Sequence, residues 1–509
     1  MEDMEDFSKF FRGFSITGIG VIYSGAVFYL GALLAITLLG PKEYGMFSLA
    51  YMVPSIAVFF LLFGLDVTAA RYIAHNLGER KGEKALHCAQ TIFVMKLLTA
   101  VLSMTVFFFL SDHIAKFLGE GILLGLQVFS VYIFLYLVGK YLMAVLQGYF
   151  LFKQRTIAEA VGSTFSMVLL IPFVYLGWGY LSPILALVLS YGFLILLSVY
   201  FLERAKIPVL RIRFEGLTAL KNYLKFSFYV YVSDSFHTAY VWVGTIVIAF
   251  YSMPVETVGH YRAMFSITNT IILVSYGFTV VLYPMLSEFR ARKEHKKLSF
   301  SLLLVIKYTL GVSIPAALGM LFLSQPLLSF LFPEYVEAVT LLRIFSFRMI
   351  FLPVYSILAT ALLILDKAKE QALLSIGLCS ISVVLSLIFG LFSVEGIAVA
   401  NTIGLAGVVF VQYLILKQQV GGVHPGPIVK FCFSTAVMCG IIWLILQLDT
   451  KDAVKVFSSV IGGIVVYTFC VLKTGAVSEE DLDMIHRGLF VLGPLRKILE
   501  PVLIWLKRI

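Results

Sequence analysis

Apolar runs of about 20 residues follow one another along nearly the whole chain, and each can cross a hydrocarbon core of roughly 30 Å as a helix. Fourteen such spans are predicted, at 14–39, 46–75, 87–111, 122–150, 157–178, 182–202, 225–250, 259–287, 300–323, 335–364, 371–392, 396–417, 428–448 and 453–473. A 509-residue chain that is 60% hydrophobic and 13% charged has no soluble alternative. The fold class is an all-α polytopic membrane protein.

The second span recurs. Leu39 to Lys84 opens on a Pro/Gly turn, LGPKEYG, runs through apolar sequence and closes on a basic loop. About 213 residues later, MPVETVGHYR opens a second such stretch, ending in RARKEHKK at Lys297. Pro41 falls on Pro254, Glu43 on Glu256, Gly45 near Gly259, and Glu79-Arg80-Lys81 on Arg292-Lys293-Glu294. The same offset carries Leu110-Ser111 onto Leu323-Ser324 and Phe117-Leu118 onto Phe330-Leu331. The sequence therefore reads as two parallel six-helix copies, 1–202 and 225–417, joined by a basic linker at 203–224. Two further helices lie at 418–473. The tail at 474–509 spaces Leu482, Ile485, Leu489, Ile498, Val502 and Trp505 as an amphipathic helix on the inner leaflet would.

Charge sets the orientation. With the N-terminus inside, inner segments and their flanks hold 28 of the 39 Lys and Arg, and outer segments hold only Lys42, Lys116, Lys451 and Lys455. That asymmetry places both termini in the cytoplasm, in the cell membrane. It also accounts for the formal charge of +10 without nucleic acid. Cys88, Cys379, Cys432, Cys439 and Cys470 show no metal spacing and read as buried apolar side chains. No cleavable leader is expected: 1–6 is acidic and Phe14 begins a full-length span. No phosphate-binding GxxxxGK[ST] loop occurs, and the outer loops are too short for a catalytic domain. No catalytic residue, metal or cofactor is expected.

The informative residues are charges inside spans, which cost at least roughly 2.5–3.5 kcal/mol in lipid unless water or a partner meets them. Arg71 and Arg262 lie near span ends and are expected to snorkel to headgroups. Arg155 and Glu159, four apart at a helix start, are expected to pair locally. Asp66 either braces a neighbouring helix or binds an ion. Five cations lie deeper: Lys96 and Lys307 at about 13 and 10 Å from the inner ends of equivalent spans, Lys140 within the fourth, and Arg343 and Arg348 within the tenth. Asp66 and Asp234 cannot neutralise them all. They either face a hydrated cavity or attract an anion, with carbonyl capping and lipid phosphate as the bland reading. Asp234 and His237, three residues apart on one helix face, form either a proton-exchanging pair or a packing contact.

The LGPKEYGMFSLA turn, the GLDVTAARYIAHNLGERK span end and the YPMLSEFRARKEHKK echo resemble membrane proteins of polysaccharide biosynthesis, of the oligosaccharide flippase type. These belong to the multidrug/oligosaccharidyl-lipid/polysaccharide exporter superfamily. The resemblance extends over residues 7–473 and implies two lobes around a central cavity lined by the first two helices of each, with alternating access. It implies a flippase for polyprenyl-(pyro)phosphate-linked oligosaccharide, with membrane lipids, H+ or Na+ and glycan-assembly enzymes as partners. Arg348, Arg343, Lys140, Lys307 and Lys96 are then the expected phosphate-binding cations, and Asp234, His237 and Asp66 the expected ion-coupling groups. A cation-coupled multidrug antiporter of the same fold is the alternative; a membrane glycosyltransferase, ligase or polymerase is a more distant one.

Overall fold

The computed structural model describes residues 2–62, 65–211, 217–276, 286, 289–290, 292–422 and 424–477, and among these described residues there are fourteen α-helices and no strand. They are α1 (Glu2–Leu62), α2 (Leu65–Gly78), α3 (Gly82–Leu118), α4 (Leu123–Gly148), α5 (Phe152–Tyr175), α6 (Leu181–Arg204) and α7 (Leu217–Phe250). There follow α8 (Val255–Asn269), α9 (His295–Leu331), α10 (Val339–Ile364), α11 (Ala368–Gly390), α12 (Val394–Val420), α13 (Pro425–Leu446) and α14 (Asp452–Lys473). Among the described residues, 11 helices are long and apolar enough to cross a membrane. This is a multi-pass membrane protein. Part of the second basic-loop echo, the middle of the linker and the tail from residue 478 lie outside the described residues.

The loop expected at 40–45 shrinks to one residue. Two helical halves of α1 meet at Gly40, whose backbone (φ 67°, ψ 174°) is open only to glycine at no steric cost. Pro41 then begins the next helical half, where it gives up no intrahelical hydrogen bond. Helices α3 and α9, expected as spans of ordinary length, are each 37 residues long. At 1.5 Å per residue that is about 55 Å, so their ends stand clear of the hydrocarbon core.

The repeat is written into the backbone hydrogen bonds. Between α2 and α3, Arg80 N–H donates to Leu77 and Lys81 N–H to Asn76; 213 residues on, Lys293 donates to Arg290 and Glu294 to Phe289. Beyond α3, Gly119 donates to Ala115 and Ile122 to Gly119; after α9, Phe332 donates to Leu328 and Tyr335 to Phe332. The short 3-10 helix that follows is 3 residues long in the first copy (Glu120–Ile122) and 6 in the second (Pro333–Ala338). From there the correspondence moves on by three, so that Phe150 donating to Gln147 matches Asp366 donating to Leu363. Arg348 thus stands where the first copy has Tyr132.

Packing gathers the chain into two units. The first comprises Met1–Ile267 and Lys367–Gly404; the second comprises Thr268–Asp366 and Leu405–Ile509. Within the first, α1 packs on α5, α3 on α4, α6 on both α4 and α5, and α7 on α11. Within the second, α9 packs on α10, and α13 on both α9 and α14. The α1–α5 pairing recurs as α7–α11, and α3–α4 as α9–α10, which is what two copies of one unit require.

Candidate functional site

Two repeat-equivalent helices, α4 and the stretch Pro333–Ile364 that holds α10, are the most enclosed by protein. Their apolar windows are 67% and 61% buried, against at most 44% in the other candidate spans. A helix hidden from lipid has no need to be apolar throughout. These two carry Lys140, Arg343 and Arg348.

In the first unit, Lys96 on α3 has no exposed side-chain surface, and its Nζ lies 3.2 Å from Asp66 Oδ1 and 3.3 Å from Oδ2. A phosphate-binding candidate and an ion-coupling candidate are therefore each other's partners, and Asp66 braces α2 against α3. Lys140 lies 5.6 Å from the centre of the Tyr136 ring. Tyr136 in turn lies 5.1 Å from Tyr191, Tyr191 lies 5.4 Å from Tyr132, and Tyr132 lies 6.1 Å from Tyr51. Four tyrosines from α1, α4 and α6 thus form one connected chain of rings, and its Tyr136 end stands beside the ammonium. Tyr132, Tyr136 and Lys140 are each four residues apart, so one helix face presents all three.

On α7, Asp234 is exposed and His237 half-buried, its imidazole 5.8 Å from the Tyr240 ring. The Tyr240 hydroxyl donates to Asn401 Oδ1 at 2.9 Å, tying α7 to α12. A second tie joins α7 to α11 through the Ser233 and Ser375 hydroxyls, 3.0 Å apart.

Two expectations need correction. Arg262 does not reach a headgroup: it is 8% exposed, its guanidinium lies 3.8 Å over Trp242 and 4.9 Å over Phe265, and Nη1 donates to the Val241 carbonyl at 3.2 Å. Aromatic faces and a carbonyl replace water for this cation, which the linear sequence conceals because Trp242 is 20 positions away. Arg155 donates to Gln147 on α4 and not to Glu159; the short α4–α5 turn brings the amide within reach of the guanidinium. Arg71, by contrast, is exposed.

In the second unit, Arg348 is 1% exposed and its Nη1 donates to Asn269 Oδ1 at 2.9 Å. Lys307 Nζ lies 5.2 Å from the Tyr308 ring. Arg343, on the same helix as Arg348, is exposed. Of the eight predicted residues, five thus belong to the first unit and three to the second, and Asp66 and Lys96 are brought into contact. Asn269, Asn401 and the tyrosine set were not anticipated. The i, i+4 spacing of Tyr132, Tyr136 and Lys140 was the signal that pointed to the last.

Residues 34–340 match the sequence profile of a family described as polysaccharide biosynthesis protein. The chain belongs to this family. Among curated proteins, this family member is 23% identical over 491 residues to a Haloferax volcanii protein named probable low-salt glycan biosynthesis flippase Agl15, covering 93% of this chain and 96% of the relative. It is also 23% identical over 372 residues to the Methanocaldococcus jannaschii uncharacterized membrane protein MJ1068, covering 69% and 72%. Its fold is like that of the lipid II flippase MurJ in an inward closed conformation (TM-score 0.72, 16% identity, covering 89% of this chain and 97% of that one). It is also like an inward-facing multidrug resistance MATE family transporter (TM-score 0.69, 18% identity, covering 80% and 98%).

Proposed function

We propose that this protein is a flippase that carries a polyprenyl-(pyro)phosphate-linked oligosaccharide from the cytoplasmic to the outer leaflet by alternating access. One observation carries the reading: alignment over nearly the full length of both chains with a relative named as a glycan biosynthesis flippase. The enclosed helices support it, since they hold cations where a phosphate-bearing head group needs them and a cationic drug does not. The lipid tail stays in the bilayer while the sugar and phosphate cross. The protein makes and breaks no bond, and ion gradients or downstream use of the glycan supply direction. Arg348 and Lys140 are the foremost phosphate-attracting residues, with Arg343 and Lys307 in support; Lys96 is occupied by Asp66. Orientation in the cell membrane with both termini cytoplasmic belongs to the same proposal.

The test is a vesicle assay in which purified protein is supplied with a fluorescent polyprenyl-diphosphate oligosaccharide on one leaflet, and appearance on the other is read by an impermeant quencher. Protein-dependent translocation is the expected result. The fold likeness to a multidrug transporter motivates a second arm with a lipophilic cationic dye and an imposed pH or Na+ gradient. Dye efflux without movement of the lipid-linked sugar would overturn the flippase reading in favour of the antiporter.

A further inference from the structure

The two sequence copies touch, backbone to backbone, through a reciprocal pair of glycines. A Cβ on Gly45 would lie 2.2 Å from the Val255 carbonyl oxygen, and a Cβ on Gly259 would lie 1.9 Å from the Pro41 carbonyl oxygen. Both glycines are buried, and in both cases the obstructing atom is main chain, which no rotamer change moves aside. The 213-residue offset carries residues 41–45 of the first copy onto 254–258 of the second, so Gly259 lies one position beyond the match to Gly45. Residues 41–45 open the helical stretch that ends at the basic loop Glu79-Arg80-Lys81, and in the sequence the second segment precedes Arg292-Lys293-Glu294 by a similar length.

Behind the glycines the contact continues. The Tyr44 and Ser266 hydroxyls hydrogen-bond at 3.1 Å, and the Tyr51 ring meets Trp242 edge-on at 5.8 Å. The cation of this layer, Arg262, is held on the second copy's own Trp242 and Phe265. Small residues that let backbones approach closely, with hydroxyl and ring contacts behind them, make a tight interface.

We propose that this reciprocal glycine joint is the seal of the transport pathway on the face away from the basic loops, closed as observed and parted when the pathway opens to that face. The inference rests on the transport reading above. Gly45 and Gly259 are then positioning residues: they touch no cargo, and their role is to let the two copies close.

The experiment reads the seal without any cargo. In a chain whose five cysteines are replaced by alanine, Ser266→Cys serves as a reporter, and reconstituted protein is labelled with an impermeant maleimide from the face opposite the basic loops. Gly45→Ala and Gly259→Ala should each raise the labelling rate about ten-fold by holding the joint apart. Gly192→Ala and Gly407→Ala, where an added methyl meets nothing within 4 Å, should leave it unchanged. Unaltered labelling in correctly inserted Gly259→Ala overturns the proposal. Should the glycine variants fail to insert, the exposed pair Lys42→Cys and Glu256→Cys, bridged by a short reducible bis-maleimide, takes their place. The bridge should stop transport and its reduction restore it, whereas undiminished transport across an intact bridge overturns the proposal. A protein that shows the labelling pattern yet moves no lipid-linked sugar would keep the seal and refute the flippase reading.

Discussion

Arg80 and Lys293 hold the same left-handed backbone conformation, at φ 60° and 58°, in turns that the repeat makes equivalent. For an L-residue this conformation costs roughly 1–2 kcal/mol. Glycine removes that cost while adding some freedom to the unfolded chain. Arg80→Gly and Lys293→Gly should therefore each be neutral to stabilising by about 0.5 kcal/mol, and Val at either position should destabilise by about 1–2 kcal/mol. Thermal unfolding in detergent measures both. Unequal responses at the two positions would argue against equivalent turns.

Those turns also carry part of the basic charge on which the proposed orientation rests. Reporter fusions after Lys221, Lys297 and Lys473 should read cytoplasmic, and fusions near Glu120, Met253 and Thr450 should read external. One robust exception among the first three sites breaks the parallel arrangement of the copies.

Lys96 and Asp66 test a different kind of claim, because each was a functional candidate alone and they form a buried pair together. Removing one partner strands a charge, so Lys96→Met and Asp66→Leu should each destabilise by about 3–5 kcal/mol, and the double variant should recover most of the loss. Transport by the inserted double variant is the decisive readout. If it flips at the parental rate the pair is a brace; if it inserts stably and flips nothing, the pair belongs to the coupling machinery.

The helices, their number and their two-fold repetition were legible because lipid imposes a length on apolar segments and a repeat imposes a register on turns. The register held residue by residue at Arg80 and Lys293, and again at Gly119 and Phe332. Among the described residues it slips where the second copy inserts three residues into a 3-10 turn, which no apolar periodicity records. Side-chain partnership was less legible. Buried cations could be counted, but Arg262 on Trp242, Arg348 on Asn269 and Lys96 on Asp66 are contacts between helices, and the linear sequence does not say which helices are neighbours. Glycine's purpose was hidden for the same reason: Gly45 and Gly259 were marks of the repeat until their backbones were seen to touch.

Asp234 and His237 address energy coupling. Asp234 is exposed on α7 while the helix is tied on both sides of it by Ser233–Ser375 and Tyr240–Asn401, so its surroundings are fixed and its carboxylate is free to meet an ion. Asp234→Asn should abolish uphill transport driven by an imposed pH gradient and leave substrate binding within about three-fold of the parent. Normal gradient-driven transport in this variant would make the carboxylate structural.

Arg348 carries the sharpest prediction. Its side chain is 1% exposed in one of the two most enclosed helices, and Asn269 orients one terminal nitrogen from 2.9 Å. An amide oxygen can orient a guanidinium, and the planar fork suits phosphate. Arg348→Ala should reduce flipping by roughly 30-fold or more at equal amounts of inserted protein. Arg348→Lys should be intermediate, because it keeps the charge and loses the bidentate geometry. Asn269→Ala separates orientation from charge: it should weaken flipping by only about 3–10-fold, the worth of one lost hydrogen bond. Full activity in Arg348→Ala refutes a phosphate role for this residue, and full activity with Lys140 and Lys307 neutralised as well removes the cationic basis of the proposed mechanism.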